Sequence, residues 1–383
     1  MRINGNDLLD NGWEAGFLIG DALKEAKNIL DSNPSLSRDE VISRITTPKR
    51  ESKQVMRSEP LPIEKAVDDA GSEDHLNNIA SAEERIKELS KCPVVKRASL
   101  MPDTCPAGNA EATIPVGGCI EVDNAIVPAA HSADVCCSMM ATFFKSDLST
   151  KELMDNLVSS THFGFCSEER VNDIRPSMKE RIENLCDNNY LLKDLKFNAV
   201  KDFASQGDGN HFAFLGKVEL SDKMFNHLAV RDSCPTPDTG EKETYKVLVT
   251  HHGSRSLGAK LYKKGVSLAE NFCKRNAKDI PKAAQWIPYD LEEGQAYWRA
   301  LQKVRLWARA NHLEIANKFT KNIRSEAIFR FFNEHNFVWK RGRSFYHGKG
   351  ATPAWDKNNG FPSIGLIPMN MGEPILIASG RGN

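Results

Sequence analysis

A carboxylate and a thiol three positions apart, in Asp134-Val135-Cys136-Cys137, can converge on one cation from a tight turn. Cys136 leaves open which thiol would face such a site. Three histidine-bearing segments follow, each set among turn residues. Gln206-Gly207-Asp208-Gly209-Asn210-His211-Phe212 places a histidine after a glycine-rich loop at the head of an apolar run. Thr250-His251-His252-Gly253-Ser254-Arg255 places two histidines before a Gly-Ser-Arg turn. Glu334-His335-Asn336-Phe337 places a His-Asn pair at a strand edge. Taken singly, the thiol pair reads as an inert core turn, and each histidine as a structural residue. Taken together, four segments share one design: a strand end or turn carrying Cys, His or Asp beside small residues. Loops gathered at one end of a sheet are where folds commonly carry function, so the set points to a metal centre. Mixed Cys, His and Asp donors suit zinc, whereas manganese usually prefers oxygen. Ligand chemistry alone therefore suggests a zinc hydrolase.

Two further segments have the composition of anion-binding loops. His252-Gly253-Ser254-Arg255-Ser256-Leu257-Gly258 offers backbone N–H groups, two hydroxyls and a guanidinium ahead of a helix, a combination that favours phosphate. Tyr346-His347-Gly348-Lys349-Gly350-Ala351-Thr352-Pro353 combines Lys, Thr and two Gly in a turn. Both also read as ordinary solvated loops. His75 and His162 lie in polar context, and His227 and His312 fall on expected helices as surface or packing residues. Cys92, Cys105, Cys119, Cys166, Cys186, Cys234 and Cys273 lack partners at metal spacing, and His347 stays undecided beside the second loop.

The elements that must position these groups follow from periodicity. Residues 1–46 read as helical: Phe17, Leu18, Ala22, Leu23, Ala26 and Leu30 recur at helical spacing, and Ser37-Arg38-Asp39-Glu40 has the form of a capped start. The polar stretch 47–80 reads as a linker or surface excursion, followed by a short helix at about 82–91. Residues 99–145 are rich in Gly, Pro, Cys, Ala and β-branched side chains, the composition of buried strands and turns. Helices are expected over 168–187, 259–275 and about 292–322, strands over 211–219 and 244–251, and short strands with turns over 326–380. The pattern is a mixed α+β fold, with a catalytic domain at 95–383, a helical N-terminal extension at 1–46 and a polar linker with a short helix at 47–94. No GxGxxG or GxxxxGK(S/T) sequence occurs, so a doubly wound nucleotide fold is not expected.

The whole chain has 383 residues, 40% of them hydrophobic, with 51 Lys+Arg against 51 Asp+Glu. That length fits one large or two ordinary domains. Zero net charge excludes a polycation that binds nucleic acid by bulk attraction, though not a local basic groove. No apolar run approaches the roughly 20 residues that span a bilayer, and no secretory signal is visible. Nine cysteines, an odd number without a compact framework, read as reduced thiols in a cytoplasm.

Taken in order, these segments resemble the RtcB family of RNA-splicing ligases over roughly residues 95–380. The matching stretches are Met101-Pro102-Asp103, Ile126-Val127-Pro128-Ala129-Ala130, Asp134 to Cys137, Gly209-Asn210-His211-Phe212, His251 to Gly258, His335-Asn336, His347-Gly348-Lys349-Gly350-Ala351-Thr352 and Pro368-Met369-Asn370-Met371-Gly372. The resemblance implies ligation of an RNA 3′-phosphate or 2′,3′-cyclic phosphate end to a 5′-hydroxyl end, with GTP and two Mn²⁺ ions. It implies Asp134, Cys137 and His211 on one ion and Cys137, His251 and His335 on the other, with the thiolate bridging. GTP contacts would come from Asn210, His211, Phe212, Ala213, Phe214, His335, Asn336 and the loop Pro368, Met369, Asn370, Met371. Asn210, Arg255 and Lys349 would serve catalysis, the last two on phosphate. It moves the expected metal from zinc to manganese, and its partners are RNA and an activating helper protein, with no membrane.

The sequence also departs from the family. The guanylated histidine belongs to a His-Gly-Ala-Gly-Arg segment beyond a Pro-Gly-Ser-Met loop; here that loop carries Met-Asn, and no such segment is present before Asn383. The family's final Lys near the guanine is missing as well. His252 and Cys136 replace smaller residues. The metal set thus reads as complete and the nucleophile as absent. A C-terminally incomplete or split product completed by a separate polypeptide, a metal-dependent cyclic-phosphate hydrolase, and a non-catalytic RNA-binding fragment are the alternatives to a self-sufficient ligase.

Overall fold

Asn4 and Ser37 start helices for the same reason. Each side chain accepts a backbone N–H of the first turn, and the acidic residue three positions on, Asp7 or Glu40, reaches back to the cap's own N–H. The helices so begun are α1 (Gly5–Asp10) and α3 (Arg38–Arg44), flanking α2 (Phe17–Ser32). Leu8, Trp13, Ala22, Ala26, Val41 and Ile42 bury together as their shared core, with Leu23 and Leu30 partly buried against it; of the stripe expected from spacing, Ala22, Leu23, Ala26 and Leu30 thus take part. In this computed structural model the described residues are 3–13, 17–49, 54–68, 71–108, 110–164, 171, 174–228, 240–354, 364–370 and 372–380. Contacts divide the chain into Met1–Val55 with Lys274–Asp279, and Met56–Cys273 with Ile280–Asn383. The second unit holds every segment singled out for metal or phosphate chemistry.

The second unit corrects the reading of residues 47–91. The polar stretch 47–80 contributes β1 (Ile63–Lys65) and the N-terminal part of α4 (Glu73–Ser90). Ser72 caps the helix by accepting the His75 N–H, and Glu73 and Asp74 suit its positive end. Ile79, Ala82, Ile86 and Leu89 then bury at spacings of three and four, a stripe masked by the surrounding charge.

The remaining elements, in chain order, are β2 (Val95–Cys105), β3 (Val116–Asp123), β4 (Ala125–Ile126), β5 (Ser138–Phe144), α5 (Thr150–Ser160), α6 (Pro176–Asp187), α7 (Lys196–Lys201), β6 (Phe212–Ser221), α8 (Asp222–Leu228), β7 (Lys242–His252), α9 (Arg255–Asn276), β8 (Ile287–Pro288), α10 (Glu292–Asn322), β9 (Ala327–Glu334), β10 (Asn336–Arg341), β11 (Ser344–Lys349), β12 (Ile364–Ile367) and β13 (Leu376–Ser379). Of the helix expected over 168–187, Pro176–Asp187 forms α6, where the fixed φ and missing N–H of Pro176 suit a first turn; Val171 is also helical, and residues 168–170 and 172–173 lie outside the described set.

One sheet runs β1-β2-β3-β11-β10, parallel only between β1 and β2. The other runs β6-β7-β5-β9 and is antiparallel throughout. Every residue of β5 is buried, because both faces of this sheet are covered. On one face Met139, Ala141 and Phe143 pack with Val247, Val249 and with Ile364 and Leu366 of the β12–β13 hairpin. On the other, Met140 and Phe144 pack with Ala316 and Phe319 of α10 and Leu153 and Leu157 of α5. The fold is thus mixed α+β. Among the described residues no helix is long and apolar enough to cross a membrane.

Candidate metal centre

The second sheet brings four separate stretches of chain to one edge. Cys137 precedes β5, His211 precedes β6, His251 is the penultimate residue of β7, and His335 follows β9. In the antiparallel order β6-β7-β5-β9, two strand starts and two strand ends share a side. The register pairs Phe212 with His251, Met139 with His251 and Ser138 with Glu334. Adjacent strands lie about 4.8 Å apart, so side chains at neighbouring strand ends are within reach of one ion.

The donors do converge. Asp134, Cys137 and His211 form one set and Cys137, His251 and His335 another, with all donor atoms of a set within 4.8 Å of each other. Cys137 Sγ lies 3.2 Å from His251 Nε2 and 3.6 Å from His211 Nε2. His251 Nε2 lies 3.1 Å from His335 Nε2, and His211 Nε2 3.3 Å from Asp134 Oδ2. The thiol common to both sets is Cys137. Cys136 has a positive φ of 61° and is fully buried, and its charged neighbours include Glu334, Arg305 and Arg309.

Backbone bonds fix this edge. The Cys137 N–H donates to the Asp134 carbonyl at 3.2 Å, the His335 N–H to the Cys137 carbonyl at 3.0 Å, and the Cys136 N–H to the Asn336 carbonyl at 2.7 Å. The Gln206 side-chain amide donates to the carbonyls of Phe212 and His251, at 2.5 and 2.7 Å. Two glycines are required by close approach: a Cβ on Gly253 would run into the Asp134 carboxylate, and one on Gly207, at φ +95°, would sit 2.6 Å from His211 Nδ1.

The protonation states suit a cation. Burial, reinforced by His335 and His211, pushes His251 down to about 3, and burial pushes His335 down to about 4, so both imidazoles are neutral near pH 7. His251 Nδ1 lies 3.1 Å from the Asn210 carbonyl. A proton there leaves the Nε2 lone pair facing Cys137 and His335 at once, and one lone pair cannot serve both neighbours well. Burial raises Asp134, yet the His211 hydrogen bond and charge outweigh it and hold the carboxyl below its ordinary value. Burial and the Asp134 charge push the Cys137 thiol well above 9.0; a bound divalent cation reverses that preference by stabilising the thiolate. The donor set therefore fits divalent ions.

The residues expected to meet GTP or phosphate are placed less openly. Asn210 and Phe214 are exposed beside the centre, flanking half-buried His211, Phe212 and Ala213. Asn336 uses its side-chain oxygen to accept the Gly350 N–H at 2.8 Å, and so anchors the Lys349 turn. Lys349 Nζ donates to the Ile114 carbonyl at 3.2 Å, and burial lowers its pKa. Arg255, at φ +55°, pairs with Asp208 at 3.0 Å. Ser254 Oγ donates to the Val135 carbonyl at 2.5 Å, and the Ser256 N–H at the head of α9 is already held by Asp202 at 3.1 Å. Pro368, Met369 and Asn370 form the β12–β13 turn, where Asn370 Oδ1 accepts the Gly372 N–H; Met371 lies outside the described residues. His347 is buried in β11, with Nε2 accepting the Val127 N–H at 3.0 Å.

Sequence reasoning passed over Glu334. It is fully buried beside His335, and Arg305 grips it with Nε at 2.8 Å from one oxygen and Nη2 at 3.1 Å from the other. Arg309 adds a contact at 2.7 Å. The available signal was an acidic residue at the end of an apolar strand.

A family model described as tRNA-splicing ligase RtcB matches residues 85–383. The chain is 22% identical over 341 residues to a tRNA-splicing ligase RtcB of Thermococcus kodakarensis, covering 76% of this chain and 68% of that protein. It is 24% identical over 205 residues to the protein of that name from Pyrococcus abyssi and 25% over 206 to that from Pyrococcus furiosus. Each of the latter matches covers 49% of this chain and about a fifth of the relative, 21% and 20%.

Proposed function

The chain belongs to the RtcB family, and on that premise we propose that it joins RNA 3′-phosphate or 2′,3′-cyclic phosphate ends to 5′-hydroxyl ends, using GTP and two Mn²⁺ ions. The observation that carries the reading is Cys137 standing in both three-donor sets. Asp134, Cys137 and His211 would hold one ion, and Cys137, His251 and His335 the other. Such a pair supplies a clamp on phosphate oxygens that stabilises the entering and leaving oxygens of a displacement.

The chain's own residues prepare that chemistry. The Asn210 carbonyl orients His251. The sheet register holds Cys137 between two imidazoles. Arg255 is our candidate for a phosphate contact. Its present partner Asp208 is 64% exposed while Arg255 itself is 12% exposed, so a multiply charged phosphate could replace the solvated carboxylate on a largely buried guanidinium. Lys349 is the second candidate, and Asn210, Phe214, Asn336 and the Pro368–Asn370 turn are candidates for the nucleotide. Residues 95–383 form the catalytic domain in this proposal. No nucleophile for guanylation is assigned, since the buried His347 serves Val127. RNA is the proposed partner and the cytoplasm the proposed location; the described cysteines are all free thiols.

The test is incubation of the full chain with Mn²⁺, α-labelled GTP and RNA carrying 3′-phosphate and 5′-hydroxyl ends. Joined RNA and a covalent GMP adduct are expected of a self-sufficient ligase. Opening of a cyclic phosphate without GTP replaces this reading with a phosphoesterase. A titration in which no Mn²⁺ binds ends it.

A further inference from the structure

Five polar side chains lie fully buried directly behind the donor edge: Ser138, Thr250, His252, Asn311 and His312. Burying so many polar groups is unfavourable unless they satisfy each other, and here most of them do. His312 projects from α10 with Nε2 3.0 Å from Ser138 Oγ and Nδ1 2.7 Å from Thr250 Oγ1. Ser138 Oγ can donate to the His252 carbonyl, at 3.5 Å. A consistent proton assignment follows, with His312 donating from Nε2 to Ser138 and accepting at Nδ1 from Thr250. The His252 ring stacks on His312 with centroids 3.5 Å apart, and the Asn311 amide, which donates to the Ser205 carbonyl at 2.9 Å, closes the group.

The two residues that His312 bridges are the chain neighbours of two donors. Ser138 follows Cys137, and Thr250 precedes His251. They stand on adjacent strands of one ladder, where Ser138 pairs with His252 and Met140 with Thr250. One imidazole on a helix thus ties the end of β7 to the start of β5 where the 3.2 Å approach of Cys137 Sγ to His251 Nε2 is set. We propose that His312 is a positioning residue of the metal centre, which fixes the spacing of Cys137 and His251 through Ser138 and Thr250. The inference rests on the reading of those donors as cation ligands.

The experiment uses the full chain as wild type, Thr250→Val, Thr250→Ser and His312→Phe. Co²⁺ titration is followed by the thiolate-to-cobalt absorption and Mn²⁺ titration by electron paramagnetic resonance, with metal-free melting points alongside. Thr250→Val and His312→Phe are expected to weaken cation binding about 10–100-fold and to alter the thiolate band, whereas Thr250→Ser, keeping the hydroxyl, restores both. A purely structural role would move the melting point and leave affinity and band unchanged. If His312→Phe does not fold, the Thr250 pair decides. Variants that bind as wild type does overturn the positioning role alone. A wild type that binds neither ion overturns the metal reading, and this inference with it.

Discussion

Replacing Cys137 with alanine separates a shared donor from two independent sites. Sγ belongs to both three-atom sets, so its loss leaves two protein donors on each. Four-ligand zinc sites bind with roughly 10–16 kcal/mol, or about 3 kcal/mol per donor. At about 1.4 kcal/mol per decade, that is close to 100-fold weaker binding of each ion. It is an upper figure for manganese, which stands low in the divalent affinity order. His211→Ala serves as control, because His211 belongs to one set only, and one ion should then weaken while the other stays. The fold should tolerate both changes. Removing the buried sulfur of Cys137 deletes one heavy atom from the core, a loss of about 1 kcal/mol. Calorimetric and paramagnetic Mn²⁺ titrations of the three chains, with melting points of the metal-free forms, give the answer. Sharing is refuted if Cys137→Ala still binds one ion with wild-type affinity, or if His211→Ala weakens both ions equally.

Mn²⁺ affinity should climb about tenfold per pH unit above neutrality, with close to one proton released, because the Cys137 thiol is protonated in the free protein while His251 and His335 are already neutral; a flat profile in buffers of different ionisation enthalpy would count against a thiolate ligand. Glu334→Gln should destabilise the chain by about 2–3 kcal/mol, below the usual figure for a broken buried pair because Arg305 and Arg309 are 23% and 33% exposed. Burial raises Glu334, but the two arginines hold it below 4.5. Its contribution is therefore complete above about pH 4.5 and lost as pH falls through the lower folded value. Denaturant midpoints against pH should show a flatter acid limb in the variant. Gly207→Ala places a Cβ 2.5 Å from Arg255 Nη1 and 2.6 Å from His211 Nδ1, at a φ of +95°, so it should cost about 1–3 kcal/mol of stability and weaken the ion on the His211 set, as read by the same titration.

The four donor segments were legible because each puts Cys, His or Asp beside small or turn residues at the boundary of an apolar run, and the strands appeared where the runs lie. The choice between Cys136 and Cys137 was not legible. It depends on the left-handed backbone at Cys136, which a bond from the Cys136 N–H to a residue 200 positions away helps to fix. Which groups of the loop at 252–258 are already bonded was hidden for a similar reason. Its hydroxyl at Ser254 is taken by Val135 and its free N–H at Ser256 by Asp202, 119 and 54 positions distant. His312 was read as a surface or packing residue because it falls on an expected helix; what it links is visible only once β5 and β7 are paired. Helix α4 was shortened because charge density outweighed a real buried stripe.

The placement of donors at strand ends rather than within strands has its own logic. Inside the ladder, side chains alternate between two faces that are both packed with apolar groups here, and a charged ion there would lose its hydration with little return. At the edge, the ladder still imposes its spacing on Cys137, His211, His251 and His335, while Asp134, with a side chain 36% exposed, opens one side to solvent. Rigid spacing and an open side would both be needed by an ion that, as proposed, holds its ligands and still accepts a phosphate oxygen. In the proposed centre, a thiolate between two imidazoles would let one short turn, Asp134 to Cys137, serve both positions. Both donor sets then depend on three neighbouring registers, β6 against β7 for His211, β5 against β7 for His251 and β5 against β9 for His335.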